Sequence, residues 1–203
     1  MKVARTAALL TLIGATVGPC LDALHTYSGA TWYAAPQLFR SVWWCPPLFA
    51  FAGLSIGLPR VLIDLKLDGK LAPISGAAVA YKMTLFFVGY ALSGFLPAAW
   101  WVKALVLVAL FIAALWPNDT RGAWLGAAGA ALGGWLVEWQ LTTHGLFFHR
   151  DTQLAGVAGW LPALYALAAV AVGALARWLV TSSPSRSASS ASRTEPAPSA
   201  HSH

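Results

Sequence analysis

The sequence predicts an all-α polytopic membrane protein, six transmembrane helices in one bundle with both termini cytoplasmic. Three observations predict it. Of 203 residues, 58% are hydrophobic and only 10% charged, where an ordinary soluble domain carries about a quarter charged residues. Six apolar stretches come close to the roughly 20 residues needed to cross about 30 Å of hydrocarbon as a helix. Lys and Arg are also distributed unevenly between alternate loops.

The first span is predicted at Ala4–Leu24. "MKVAR" followed by "TAALLTLIGATV" has the basic and apolar regions of a signal peptide. No small-x-small site follows, however, and Pro19 precedes Cys20 in "VGPC", so the segment is expected to stay as helix one. The second span, Val42–Ile63, opens on "SVWWCPP". Trp43 and Trp44 suit the interfacial belt, and Pro46 and Pro47 suit a first helical turn, where a missing N–H costs little. The third and fourth spans, Ala77–Leu96 and Trp100–Trp116, are separated only by "PAA". One helix over 40 residues would be about 60 Å long, so a tight hairpin is predicted. The fifth span, Gly122–Phe148, repeats Gly122, Gly126, Ala130, Gly134, Glu138 and Thr142 at intervals of four, a smooth face that lets helices approach closely. The sixth is Gly156–Val180. Residues 1–180 thus form one membrane domain. Residues 181–203, "TSSPSRSASSASRTEPAPSAHSH", are too polar to bury a core and are expected to be a disordered cytoplasmic tail.

With six spans, Lys2, Arg5, Arg60, Lys66, Lys70, Arg121, Arg177, Arg186 and Arg193 fall on one side and Arg40, Lys103 and Arg150 on the other. The richer side is the cytoplasmic one. The net charge of +6 is therefore topological. "RVLIDLKLDGKLAP" mixes both signs without stacking aromatics, which excludes a nucleic-acid surface and suits anionic lipid heads.

Ionisable groups at membrane depth are functional candidates. Asp22 and His25, three apart, share a helix face and are expected to pair locally near the outer end of helix one. Lys82 is expected to snorkel to the cytoplasmic interface or to find an acidic partner. Glu138 lies on the small-residue face, where its carboxyl can bond Gln140, a backbone carbonyl or a lipid head, or simply fix helix packing. "THGLFFHRD", with His144, His149, Arg150 and Asp151, suits a solvated rim. Cys20 and Cys45 are expected to be unpaired, and two cysteines make no metal framework. There is no nucleophile motif, phosphate-cradling loop or internal repeat, so no cofactor or metal is implied. One functional class is a membrane enzyme or proton-linked transporter using Asp22, His25, Glu138 and His144. Another is an assembly protein whose small-residue face joins copies into a homo-oligomer.

"SVWWCPPLFAFAGLSIGLP" resembles the second transmembrane segment of the insulin-induced gene protein (Insig) family, in which Trp-Trp-x-Pro-Pro opens a glycine-containing helix. "GWLPALYALAAVAVGALARWL" is similar to the family's last helix, and "NDTRGAWLGAAGAALGGWLVEW" to its charged loop and glycine-rich fifth helix. In that order the matches cover most of the chain between Phe39 and Val180. The resemblance implies a six-helix regulator, not an enzyme, that holds a lipid in a central cavity and controls a membrane-protein partner. Trp44, Phe51, Phe86, Trp135, Glu138 and Gln140 are then candidate lipid-binding residues, and Asp119 occupies the loop that binds partners. Animal members reside in the endoplasmic reticulum and respond to oxysterols. "GPCLDALHTYSGATWYAAP" has no counterpart there, and the short loops look prokaryotic. A bacterial inner-membrane protein and a glycerolipid, more than a sterol, are therefore expected.

Overall fold

A computed structural model describes residues 2–37, 39–116 and 119–182. Its helices are α1 (Lys2–Ser28), α2 (Cys45–Asp68), α3 (Gly76–Phe95), α4 (Trp100–Leu115), α5 (Arg121–Thr143) and α6 (Leu161–Thr181), with two short strands, β1 (Thr31–Tyr33) and β2 (Phe147–His149). The expected tail lies, from residue 183 on, outside the described residues. Of the helices, α1, α2, α3 and α6 are long and apolar enough to cross a membrane. α4, at 16 residues, is about 24 Å long.

The hairpin expected between the third and fourth spans is present, since the chain leaves helical geometry at Leu96–Ala99. Pro46 and Pro47 occupy the first turn of α2, and α6 begins likewise, with Pro162 just after Trp160. α6 packs against all five other helices. Its Leu164, Leu167, Val170 and Ala171 lie in the main core with Leu107 of α4 and Phe86 and Tyr90 of α3. Large apolar side chains elsewhere point outward, among them Leu12, Leu62, Leu105 and Leu132. That inside-out pattern suits a lipid solvent.

α1 lies along α2 with backbones nearly touching. A methyl group on Gly14 would run into the Phe49 carbonyl, and one on Gly53 into the Leu10 carbonyl. Close approach of small residues is how helices gain contact in a membrane.

Two predictions are corrected here. The fifth helix does not continue to Phe148. It stops at Thr143, and Gly145 takes a left-handed conformation, φ +67°, that turns the chain back into β2. α1 ends the same way at Gly29, φ +68°, and turns into β1. Left-handed glycines are common helix stops. The two strands then pair antiparallel, Thr31 with His149, Trp32 with Phe148 and Tyr33 with Phe147. "THGLFFHRD" is therefore only partly a solvated rim. Alternation along the strands sends Thr31, Tyr33, Phe147 and His149 inward, all four buried, while Trp32 and Phe148 stack on the other face with ring centres 5.9 Å apart.

The second correction concerns charge. α2 continues past Ile63 to Asp68, so Arg60 is not a loop residue. It is buried inside the bundle with Asp64, Lys82 and Arg177.

Candidate functional site

Between α1, α2, α3, α5 and α6 lies a cavity of about 530 Å³ with a mostly apolar wall. The small residues of α5 make one side of it. Gly126, Gly129, Ala130 and Gly133 all line the space, and a methyl on Gly129 or Gly133 would meet nothing within 4 Å. Gly134, one residue on, is different: a methyl there would collide with the Tyr165 ring. The exposed members of the wall are chiefly Phe51, Ser55 and Pro59 of α2 and Leu125, Gly129 and Val137 of α5. The cavity thus has a flank toward the bilayer between these two helices.

The β1–β2 ribbon covers the outer end of the cavity, and polar groups gather beneath it. Asp22 accepts a hydrogen bond from the Tyr33 hydroxyl at 2.8 Å and a longer one from the Cys45 thiol at 3.7 Å. Glu138 accepts from the Tyr165 hydroxyl at 2.9 Å and meets His149 Nε2 at 3.2 Å. Burial, reinforced by the Asp22 carboxylate, holds the Tyr33 hydroxyl well above its ordinary range. Tyr33 therefore remains a donor.

Asp22 and His25 do not pair, although both line the cavity. His25 Nε2 lies 2.9 Å from Ser93 Oγ and 3.2 Å from the Tyr90 carbonyl, and its ring stacks on Tyr90 with centres 4.1 Å apart. The shared face of α1 is real, but each side chain finds a nearer partner on another element.

Of the candidate lipid-binding residues, Phe51, Phe86 and Glu138 line the cavity, and Trp44, Trp135 and Gln140 stand outside its wall. Trp44 packs against Tyr33 behind the ribbon. Trp135 donates to the Leu154 carbonyl at 3.2 Å, and Gln140 is exposed. His144 is exposed too, with Nδ1 2.8 Å from the Gln140 carbonyl of its own helix. His149 takes the position facing Glu138 instead. The residues that sequence reasoning missed, Thr31, Tyr33, His149 and Tyr165, come from the ribbon and α6. The signal available was Tyr165, four residues after the Trp-Leu-Pro start of α6.

At the opposite end of the bundle a second polar cluster is built from ion pairs, with Arg60 Nη1 and Arg177 Nε and Nη1 left without hydrogen-bond partners. Arg60 Nε donates to both Asp64 oxygens at 3.2 and 3.1 Å, and its Nη2 to Asp119 at 2.8 Å. Lys82 bonds Asp119 at 2.9 Å and also the Ala114 carbonyl. Arg177 lies 3.4 Å from Asp64 and 3.6 Å from Asp119. Lys82 is thus not snorkelling; it has the acidic partner. Asp119, expected in a partner-binding loop, joins α2, α3 and α6 through its two oxygens.

Cys20 is exposed, Cys45 is buried, and both are free thiols. Among the described residues no three His, Cys, Asp or Glu side chains stand together as a metal site.

No family model matches the chain, and no curated protein matches it significantly. Solved structures do. A mycobacterial Insig homologue, MvINS from Mycobacterium vanbaalenii, superposes with a TM-score of 0.78 over 89% of this chain and 97% of that one, at 22% identity. A cross-linked trimer of MvINS gives the same values. The fold is Insig-like. That likeness reaches across the six-helix bundle and agrees in architecture with the resemblance carried by "SVWWCPP".

Proposed function

We propose that this protein binds a membrane lipid in the bundle cavity, with its tail along the small-residue face of α5 and its head beneath the β1–β2 ribbon, and that it acts as a regulator of a membrane-protein partner, not as an enzyme. The observation that carries the reading is the cavity: about 530 Å³, with a mostly apolar wall, a group of polar side chains under the ribbon and Arg60 toward the other end. Its size lies within the range of small-molecule sites, roughly 300 to 1,000 Å³. A glycerolipid suits the cavity, because a flexible alkyl chain can lie against the apolar side chains and the small residues of α5 that line it.

The separation of the ionisable groups supports this reading over the enzyme or transporter reading. Asp22, His25 and Glu138 each have their own partners around an apolar space, and His144 faces away. The partner surface is proposed to involve the loop that carries Asp119, held rigid from inside by Arg60 and Lys82. The bacterial inner membrane is the proposed location. The trimer recorded for MvINS supports a homo-oligomer here as well.

Native mass spectrometry with lipid extraction on the detergent-purified full-length protein tests the lipid. A stoichiometric lipid that survives purification, or one whose addition raises Tm, is expected. If no lipid co-purifies and none added back stabilises the fold, lipid binding is wrong.

A further inference from the structure

Arg60 belongs to two places at once. Its side chain lines the bundle cavity, and its guanidinium sits in the ion-pair cluster with Asp64 and Asp119. Asp64, Lys82, Asp119 and Arg177 stand outside the cavity wall, so Arg60 is the member of the cluster that an occupant of the cavity can touch. Its aliphatic stem is confined on one side and loose on another. Toward α6 it lies on the backbone, since a methyl on Gly173 would come within 2.7 Å of Cγ. Toward α5 the facing residue is Gly126, also in the cavity wall, where a methyl would meet Cδ at 3.6 Å, ordinary van der Waals contact. The room beside Cδ is room that a lipid tail can fill.

The guanidinium in turn sets the entry to α5. Its Nη2 donates to Asp119 Oδ1 at 2.8 Å and to the Thr120 hydroxyl at 3.1 Å, and that hydroxyl donates to Asp64 at 2.5 Å. Thr120 stands at the N-cap of α5 but makes no side-chain cap, because its hydroxyl is engaged by Arg60 and Asp64 instead. A second arrangement lies close by. Arg177, anchored through Nη2 to the Ala72 carbonyl, has Nη1 3.6 Å from the same Asp119 oxygen, and its Nε and Nη1 are buried without hydrogen-bond partners. With three cations against two carboxylates, Asp119 can pass from Arg60 to Arg177 and stay paired. Trading one ion pair for another avoids the cost of a bare buried carboxylate.

We infer that lipid in the cavity selects between these two arrangements. An occupant packed against the Arg60 stem keeps Asp119 and Thr120 on Arg60; loss of the occupant lets the stem turn into the cavity and Asp119 pass to Arg177, which loosens the first turn of α5. This rests on the lipid-binding reading above and adds the route by which occupancy reaches the segment proposed to meet a partner. A ligand shifts such an equilibrium only through differential contact with the two states, and here that contact is the stem of Arg60. By linkage, whatever fixes Asp119 on Arg60 from outside also tightens lipid in the cavity.

The test uses the full-length protein in nanodiscs of phosphatidylethanolamine and phosphatidylglycerol. Native mass spectrometry reads lipid occupancy, and hydrogen exchange reads backbone amides 119–124 in the same samples. Gly133→Leu blocks the cavity about 10 Å along α5 from Gly126. The parent is expected to carry lipid and to exchange about tenfold more slowly over this segment than empty Gly133→Leu, within the range of allosteric coupling. Adding Gly126→Ala to Gly133→Leu sets a methyl against Arg60 Cδ and should restore most of the slow exchange without lipid. Adding Gly129→Ala instead gives α5 the same gain in helix propensity but meets nothing within 4 Å, and should not. Arg60→Lys keeps the charge and loses the fork that reaches Asp64 and Asp119 together; it should retain lipid and exchange alike with and without Gly133→Leu. Equal exchange in the lipid-bearing parent and empty Gly133→Leu would overturn the coupling and leave lipid binding intact. A difference that persists in Arg60→Lys, or that Gly126→Ala closes no better than Gly129→Ala, would overturn the role of Arg60. If Arg60→Lys does not fold, the two alanine variants decide. A parent without lipid, or a Gly133→Leu protein that keeps it, would overturn the lipid reading itself and this inference with it.

Discussion

At the cytoplasmic end Arg60, Lys82 and Arg177 share Asp64 and Asp119 in one network joining α2, α3, α6 and the loop before α5. At the outer end Asp22 and Glu138 face an open cavity with the Tyr33 and Tyr165 hydroxyls and the His149 ring against them and, among the described residues, no ion pair to Lys or Arg. Both ends bury carboxylates, yet only the first sets Lys and Arg against them, three cations to two carboxylates. Carboxylates bridged by cations hold helices in place; carboxylates that face the cavity without a Lys or Arg can receive something. The contrast separates a clamp from a binding site without reference to any relative.

The comparison breaks most severely at Asp119. Asp119→Ala leaves Lys82 and Arg60 without their shared carboxylate, and removing one partner of a buried ion pair costs about 3 to 5 kcal/mol. A large fall in Tm or loss of the monodisperse folded species is expected. Next comes Gly134→Leu, whose side chain would enter the Tyr165 ring and push that ring from Glu138. Overpacking of this kind costs about 1 to 3 kcal/mol, measurable as a lower midpoint of unfolding in detergent. At the outer end Asp22→Asn keeps an oxygen for the Tyr33 hydroxyl, so its effect on stability should be below about 1 kcal/mol. A loss as large as that of Asp119→Ala would make both ends clamps. Smallest is Trp135→Phe, which deletes the exposed indole bond to the Leu154 carbonyl and should cost at most about 0.5 kcal/mol without changing ligand binding.

The bundle was legible because apolar length and the Lys and Arg asymmetry are local or additive properties of the chain. Trp43 to Pro47 marked the start of α2, and the interval of four along α5 led to Glu138. The ribbon was not legible. "TWY" and "FFH" are three-residue strands more than a hundred positions apart, too short to show alternation, and only the left-handed turns at Gly29 and Gly145 bring them together. His144 and His149 were therefore both taken for part of a rim, and only His144 was named in the enzyme or transporter alternative. Arg60 and Arg177 entered the orientation count as loop residues, but their burial depends on meeting Asp64 and Asp119 inside the bundle. The four-residue spacing of α5 also could not tell Gly134, against Tyr165, from Gly133, beside empty space.

That last pair gives the most direct test of lipid occupancy. Gly133→Leu places its side chain in the cavity without a clash at Cβ, and replacing a helical glycine favours the helix by up to about 1 kcal/mol. Native mass spectrometry of the purified variant and the parent protein should then show the parent carrying lipid and Gly133→Leu folded but empty, with Tm in the stripped state equal or higher. A folded Gly133→Leu that retains the same lipid at the same stoichiometry would contradict lipid binding in this cavity.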